Sequence, residues 1–170
     1  MSTLVPPAGP LERLVRRCAG GIETIARGVA PILLRIALAL PFFRSGLTRW
    51  DGFLSISGGT LYLFESQFRL HVFGALVGLP APDALAFVVA TTELVLPVLL
   101  VAGLATRFAA LALLAMTGVI QLVFPDGWAN FHLYWATLAV AILALGPGGL
   151  SLDRAIDLAY RKRRGRAVRR

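Results

Sequence analysis

Charge is scarce in this chain, and cysteine almost absent. Only 15% of the 170 residues are charged, against about a quarter in a soluble domain, so much of the surface need not face water. Acid is scarcer than base: 9 Asp+Glu stand against 17 Lys+Arg, for a net charge of +8. The single cysteine, Cys18, excludes an intrachain disulfide. With no CxxC pair there is also no self-contained dithiol or Cys-based zinc site. Its plainest reading is a small apolar residue on a helix face. The sequence carries no P-loop, dinucleotide fingerprint or nucleophile–base constellation, which argues against an autonomous soluble-type enzyme. The opening MSTLVPPAGPLERLVRRCAGG lacks a continuous apolar core followed by a small-residue cleavage site. The first membrane span is therefore expected to serve as the insertion signal.

What the chain does have is apolar sequence, 57% of its residues, with a mean hydropathy of +0.75. Four segments can cross hydrocarbon: Val29 to Arg49, Ala84 to Leu104, Phe108 to Phe124 and Phe131 to Leu145. A core about 30 Å thick needs about 20 helical residues, so the last two are short and are expected to begin in the interface or cross a thin bilayer. The expected fold is all-α: a four-transmembrane-helix bundle with a partly structured outer loop after the first helix. The chain divides into a basic cytoplasmic or interfacial segment (1–28), the membrane domain (29–147, with the outer loop at 51–83) and a basic tail (148–170). Ala105, Thr106 and Arg107 form a turn that makes the second and third spans an antiparallel hairpin. In the loop, YLFESQFRLHVFG is too amphipathic for a span and reads as a half-buried or re-entrant helix.

Basic residues set the orientation. Arg13, Arg16, Arg17, Arg27, Arg107, Arg154 and the run Arg161, Lys162, Arg163 and Arg164 fall on one side of a four-span protein, and Trp50, Tyr62, Trp128, Tyr134 and Trp135 collect towards the other. The positive-inside rule puts both termini in the cytoplasm of a bacterial inner membrane. A basic chain raises the question of nucleic acid, but cations clustered at the ends of an apolar chain suit anionic lipid headgroups better. The run Arg161 to Arg164 is the candidate lipid-binding segment. Leu11, Leu14, Val15, Cys18, Ile22 and Ile25 recur at helical spacing, as do Leu152, Ile156 and Ala159 after the helix-capping Ser151, so each flank is a candidate to lie flat on the bilayer.

Few residues can carry chemistry. Glu93 lies in the middle of the second span, beside Thr91 and Thr92 and one turn before Pro97. A carboxylate there must face the bundle interior and pair or stay protonated. Arg35 and Arg44 are its candidate partners, the first towards the cytoplasmic side of Glu93 and the second towards the outer side; Thr117 and Gln121 can meet this polar cluster across the bundle. Either helix packing or proton or cation handling would explain such a cluster. His71 and His132 are candidates for a transition metal or the axial positions of a haem, with Glu65 or Asp126 as an added carboxylate; hydrogen-bonded interfacial histidines are the plainer reading. A quinone has a candidate berth between helices against Phe42, Phe43 and Trp50, a surface that would equally suit lipid tails.

Arg35, then PFFRSGLTRWDGF, Glu93, GLATR at the turn and GPGGLSLDR after the last span resemble the DoxX family of small bacterial membrane proteins, over about Pro31 to Asp153. The resemblance implies the same four-helix architecture. Some relatives are subunits of thiosulfate:quinone oxidoreductases, others belong to membrane-associated oxidative-stress complexes, and many have no established activity. YLFESQFRLHVFG and MTGVIQLVFPDGWANFHLYWA resemble one subgroup, encoded beside enzymes that modify metal-binding peptides. Arg49 stands where many relatives have Lys, which keeps the charge but changes the geometry. The family supplies no catalytic motif to carry over. Three functional classes follow: a membrane subunit or anchor of a redox or metal-stress system, with protein partners; a small transporter or channel for protons, metal ions or a small solute; and a structural scaffold.

Overall fold

The computed structural model describes residues 9–167. Four of its helical segments are long and apolar enough to cross a membrane. The first, α1 (Pro10–Leu47), has 38 residues, about 57 Å at about 1.5 Å per residue and nearly twice a bilayer core. No break separates its membrane half from the basic segment before Val29, which is the first half of the same helix rather than a separate interfacial one. Next come β1 (Trp50–Gly52) and β2 (Ser55–Ile56), then α2 (Gly58–Tyr62), which runs directly into a π-helical turn at Leu63–Gln67. After β3 (Arg69–Val72) and β4 (Ala75–Gly78), α3 (Pro82–Ala102) and α4 (Thr106–Val123) form the expected hairpin. A 3-10 turn at Pro125–Gly127 and a π turn at Trp128–His132 lead into α5 (Leu133–Leu145), and α6 (Leu152–Ala167) closes the chain. Because these turns are continuous with α5, the fourth span runs over Pro125–Leu145, 21 residues. That is a full crossing rather than the short one its apolar run suggests.

The loop after α1 meets the expected half-buried helix only in its first part, residues 58–67, where Phe64 is buried. Beyond it, Arg69–Val72 pairs antiparallel with Ala75–Gly78. Phe73 (φ 49°) and Gly74 (φ 83°) form the turn, and left-handed conformations at both central positions match the twist of a two-residue hairpin. Gly74 was the sequence signal for it; an aromatic residue tolerating positive φ at position 73 obscured it.

Small residues bring the helices together. Ala86, Ala90, Ala109, Ala110 and Ala139 are buried, and between them pack Leu38, Phe42, Leu100, Leu113 and Ile142. In lipid, close backbone approach of this kind replaces hydrophobic driving force as the source of helix association. Gly46 is the tightest case: a methyl group there would lie 3.0 Å from the Glu93 backbone carbonyl carbon and 2.9 Å from Leu94 Cδ2. The outside of the bundle is apolar, with Leu111, Val119 and Val140 more than half exposed, a surface that suits hydrocarbon rather than water.

At the α3–α4 turn, Gly103 adopts φ 70°. Its N–H donates to Leu100 O (3.1 Å) and that of Leu104 to Leu99 O (2.9 Å), which satisfies the last carbonyls of α3.

Candidate functional site

Glu93 is buried within α3. Its carboxylate does not meet Arg35 or Arg44. Arg49, two residues past the end of α1, reaches back to it: Nε donates to Oε2 at 2.5 Å and Nη2 to Oε1 at 2.9 Å. The planar fork fits the carboxylate with two parallel bonds. Both side chains are withdrawn from solvent, 15% exposed for Arg49 and 3% for Glu93. Nη2 of Arg49 also donates to Ser45 Oγ at 3.3 Å, and the guanidinium lies 5.5 Å from the centre of the Phe64 ring, within cation–π range. Arg44 lies on the exposed face of α1.

Arg35 is buried at the other end of the bundle, where it holds only carbonyls. It donates to Pro31 O (3.0 Å), Leu150 O (2.8 Å) and Val101 O (3.4 Å), joining α1, α3 and the segment before α6. Close by, Asp153 accepts from the amides of Ala105 (2.8 Å) and Thr106 (2.9 Å) and donates its own N–H to Gly103 O (2.9 Å). It thus caps α4 from 47 residues further along the chain. Burial pushes the Asp153 carboxyl up, but the amides of Thr106 and Ala105 and the charge of Arg35 outweigh it and hold the group below its ordinary value.

Gln121 is paired with a histidine. His132 Nδ1 lies 2.6 Å from Gln121 Oε1, while Gln121 Nε2 donates to Pro125 O at 2.9 Å. That second bond orients the amide, so Nδ1 of His132 is the donor to Gln121 Oε1, which leaves Nε2 as the acceptor whenever the ring is neutral. The imidazole packs 5.3 Å from the Trp135 ring. His71 is elsewhere, with Nδ1 3.1 Å from Leu122 O. Among the described residues no three His, Cys, Asp or Glu side chains gather to hold a metal. Thr117 donates to Leu113 O within its own helix.

The Arg49–Glu93 pair and His132 line one cavity of about 310 Å³ between α1, α3, α4 and α5. Its other walls are almost wholly apolar and include Phe42, Phe64, Phe68, Phe124 and Trp135. Aromatic contacts knit these walls: Phe42 with Trp135, Phe64 with Phe68, and Phe68 with Phe124, at centroid distances of 5.1–5.3 Å. Each π turn delivers a lining residue, Phe64 from one and His132 from the other; such turns recur at functional sites. Of the residues singled out in the sequence, Glu93, His132 and Phe42 line this cavity, and Gln121 reaches it only through His132. Arg49 as the partner of Glu93, and the loop aromatics Phe64 and Phe68 as walls, were not among the expectations. Of the quinone berth suggested by sequence, Phe42 faces the cavity, Phe43 lines a separate lipid-side groove with Leu40 and Val98, and Trp50 packs on Phe87.

Four apolar spans, a lipid-compatible exterior and a buried ion pair define a multi-pass integral membrane protein. The DoxX family model matches residues 30–126, more than half the chain. An uncharacterized protein of Haemophilus influenzae is 32% identical over 151 residues, covering 82% of this chain and 91% of its own. No solved structure matches. The chain belongs to the DoxX family.

Proposed function

We propose that this protein is the membrane subunit of a redox system and that its aromatic cavity receives the ring of a quinone. One observation carries this reading: an apolar, ring-lined cavity of about 310 Å³ whose few polar groups are the Arg49–Glu93 pair and His132. Ligand sites of this kind are mostly apolar with a few placed polar groups, and span about 300–1,000 Å³. A quinone presents a flat apolar body with carbonyl oxygens that accept hydrogen bonds, and the Arg49 guanidinium is a donor at the cavity wall. The reduced form presents hydroxyls, for which the free Nε2 of His132 is an acceptor. Neither group makes this chain an enzyme by itself; a soluble partner would supply or take the electrons. The family resemblance supports the same class.

The charge asymmetry supports an orientation in the bacterial inner membrane with both termini and Arg107 in the cytoplasm and the cavity towards the outer leaflet. Reporter fusions after Arg170 test it: a cytoplasm-active reporter should work and a periplasm-active one should fail.

The cavity is tested with a short-chain ubiquinone analogue added to the purified protein in mild detergent, following tryptophan fluorescence. Saturable quenching is expected, and it should be lost in Trp135→Phe, which removes the reporter ring, and weakened in His132→Ala. Quenching that is linear in quinone and equal in all three proteins would defeat the proposal. Proton flux in liposomes that depends on Glu93 would favour the transporter class instead.

A further inference from the structure

At the opposite end from the aromatic cavity, an open cavity of about 1240 Å³ lies between the α3–α4 turn and the start of α6. Four arginines line it, Arg27, Arg107, Arg154 and Arg161, together with the apolar side chains of Phe108 and Leu145. Its two carboxylates are already engaged. Asp153 holds the amides of Ala105 and Thr106, and Asp157 holds Arg161 at 2.9 Å. Arg27 is paired with Glu23. Among the described residues, Arg107 and Arg154 form no ion pair. Four arginines therefore outnumber two carboxylates around one cavity, and two of the four have no ion-pair partner among the described residues.

The cavity also has a level and a wall. It opens where α3 ends at Ala102 and α5 ends at Leu145, the ends of two segments long and apolar enough to cross a membrane. Phe108 and Leu145, 65% and 63% exposed, form an apolar surface continuous with the outside of the bundle. A soluble phosphate would use the arginines and leave that wall wet. A phospholipid uses both, because its phosphodiester can bridge the two guanidiniums while an acyl chain lies along Phe108 and Leu145. Asp153 is committed to two amides and Asp157 to Arg161, and the excess of arginine over carboxylate disfavours a choline or ethanolamine cation. Basic pockets at helix ends take anionic headgroups for these reasons.

We propose that this cavity is a headgroup site for an anionic glycerophospholipid, held by Arg107 and Arg154. The site is distinct from the diffuse attraction of the basic tail and does not depend on the quinone reading.

The test uses the delipidated full chain in mild detergent, with native mass spectrometry and thermal unfolding as readouts. Dioleoylphosphatidylglycerol, dioleoylphosphatidylcholine and inorganic phosphate are the probes. Phosphatidylglycerol should be retained as a discrete adduct and raise the melting temperature, and the other two should do neither. Arg107→Gln with Arg154→Gln should weaken retention by about tenfold or more. Either single replacement should give an intermediate loss, which keeps the test available if the double variant does not fold. Lys162→Gln with Arg163→Gln removes the same charge from the tail and should leave the discrete adduct in place. Equal retention of phosphatidylcholine would overturn the proposal, as would full protection by inorganic phosphate, no adduct at all, or an equal loss in the tail variant.

Discussion

Arg35 and Arg49 occupy one face of the first helix and its continuation, yet they are held in opposite ways. Arg49 meets a carboxylate and lines a cavity. Arg35 meets three backbone carbonyls. A guanidinium bonded to carbonyls ties chain segments together, because each acceptor belongs to a different part of the fold. A guanidinium bonded to a buried carboxylate is instead neutralised as a pair, and its geometry fixes two helices at one point. The turn end of the bundle thus gathers three chain segments on one buried guanidinium, and the β3–β4 hairpin end pairs two charges at the wall of a cavity.

The sharpest way to break this contrast is at Glu93. Glu93→Gln keeps the size and leaves Arg49 buried without a counter-charge, which should cost about 3–5 kcal/mol, read as thermal unfolding in mild detergent. Adding Arg49→Gln should restore part of the loss, whereas adding Arg35→Gln should restore none, since coupling is confined to neighbours or members of one network. Coupling of Glu93 to Arg35 would erase the distinction between the ends.

That assignment shows how far the sequence could be read. Helical rise alone put Arg35 and Arg44 on either side of Glu93. Rotation decides the matter: Arg35, Leu38, Phe42 and Gly46 are all buried on one stripe, and steps of three and four residues lead on to Arg49, not to Arg44. Face periodicity was legible and outranks height along the axis when a partner is sought. The spans were legible because apolar runs report hydrocarbon directly. The fourth was underestimated because Pro125 and Gly127 look like loop residues but begin a continuous helical segment. Phe64 and Phe68 as cavity walls were not legible, because their placement depends on a π turn and on tertiary packing against Phe124.

A second test sharpens the hairpin end through its closest approach. Gly46→Ala puts a methyl group 3.0 Å from the Glu93 backbone, where the helix cannot yield as a flexible side chain would. Overpacking of this kind costs about 1–3 kcal/mol, and ligand quenching should weaken as Arg49 and Glu93 separate. Unchanged stability would show that the two helices can part freely.

The turn end should respond more mildly. Asp153→Ala removes the acceptor for two amides at the start of α4, a capping loss of about 0.5–2 kcal/mol. Hydrogen exchange at Ala105 and Thr106 should quicken while quinone quenching stays intact. Loss of quenching would mean that the two ends are coupled.

Smallest is the effect of pH on that cap. The Asp153 carboxyl is held below its ordinary value, so it contributes stability that is fully present above the unfolded value of about 3.9. The contribution fades as pH falls through the folded value. Acidification from pH 5 to pH 3 should lower the protection of Ala105 and Thr106, measured against the intrinsic exchange rate at each pH, in the parent protein, with a smaller change in Asp153→Ala. Equal responses in both would remove Asp153 as the cause.

The cap that Asp153 places on α4 also has a consequence in time. Thr106 is synthesised 47 residues before Asp153, so the amides at the start of α4 are made before the side chain that caps them. Arg35 likewise waits for the carbonyl of Leu150. The clasp can close only once Leu150 and Asp153 have been made. A chain truncated before Ser151 would lack Asp153, and the amides of Ala105 and Thr106 would stay uncapped.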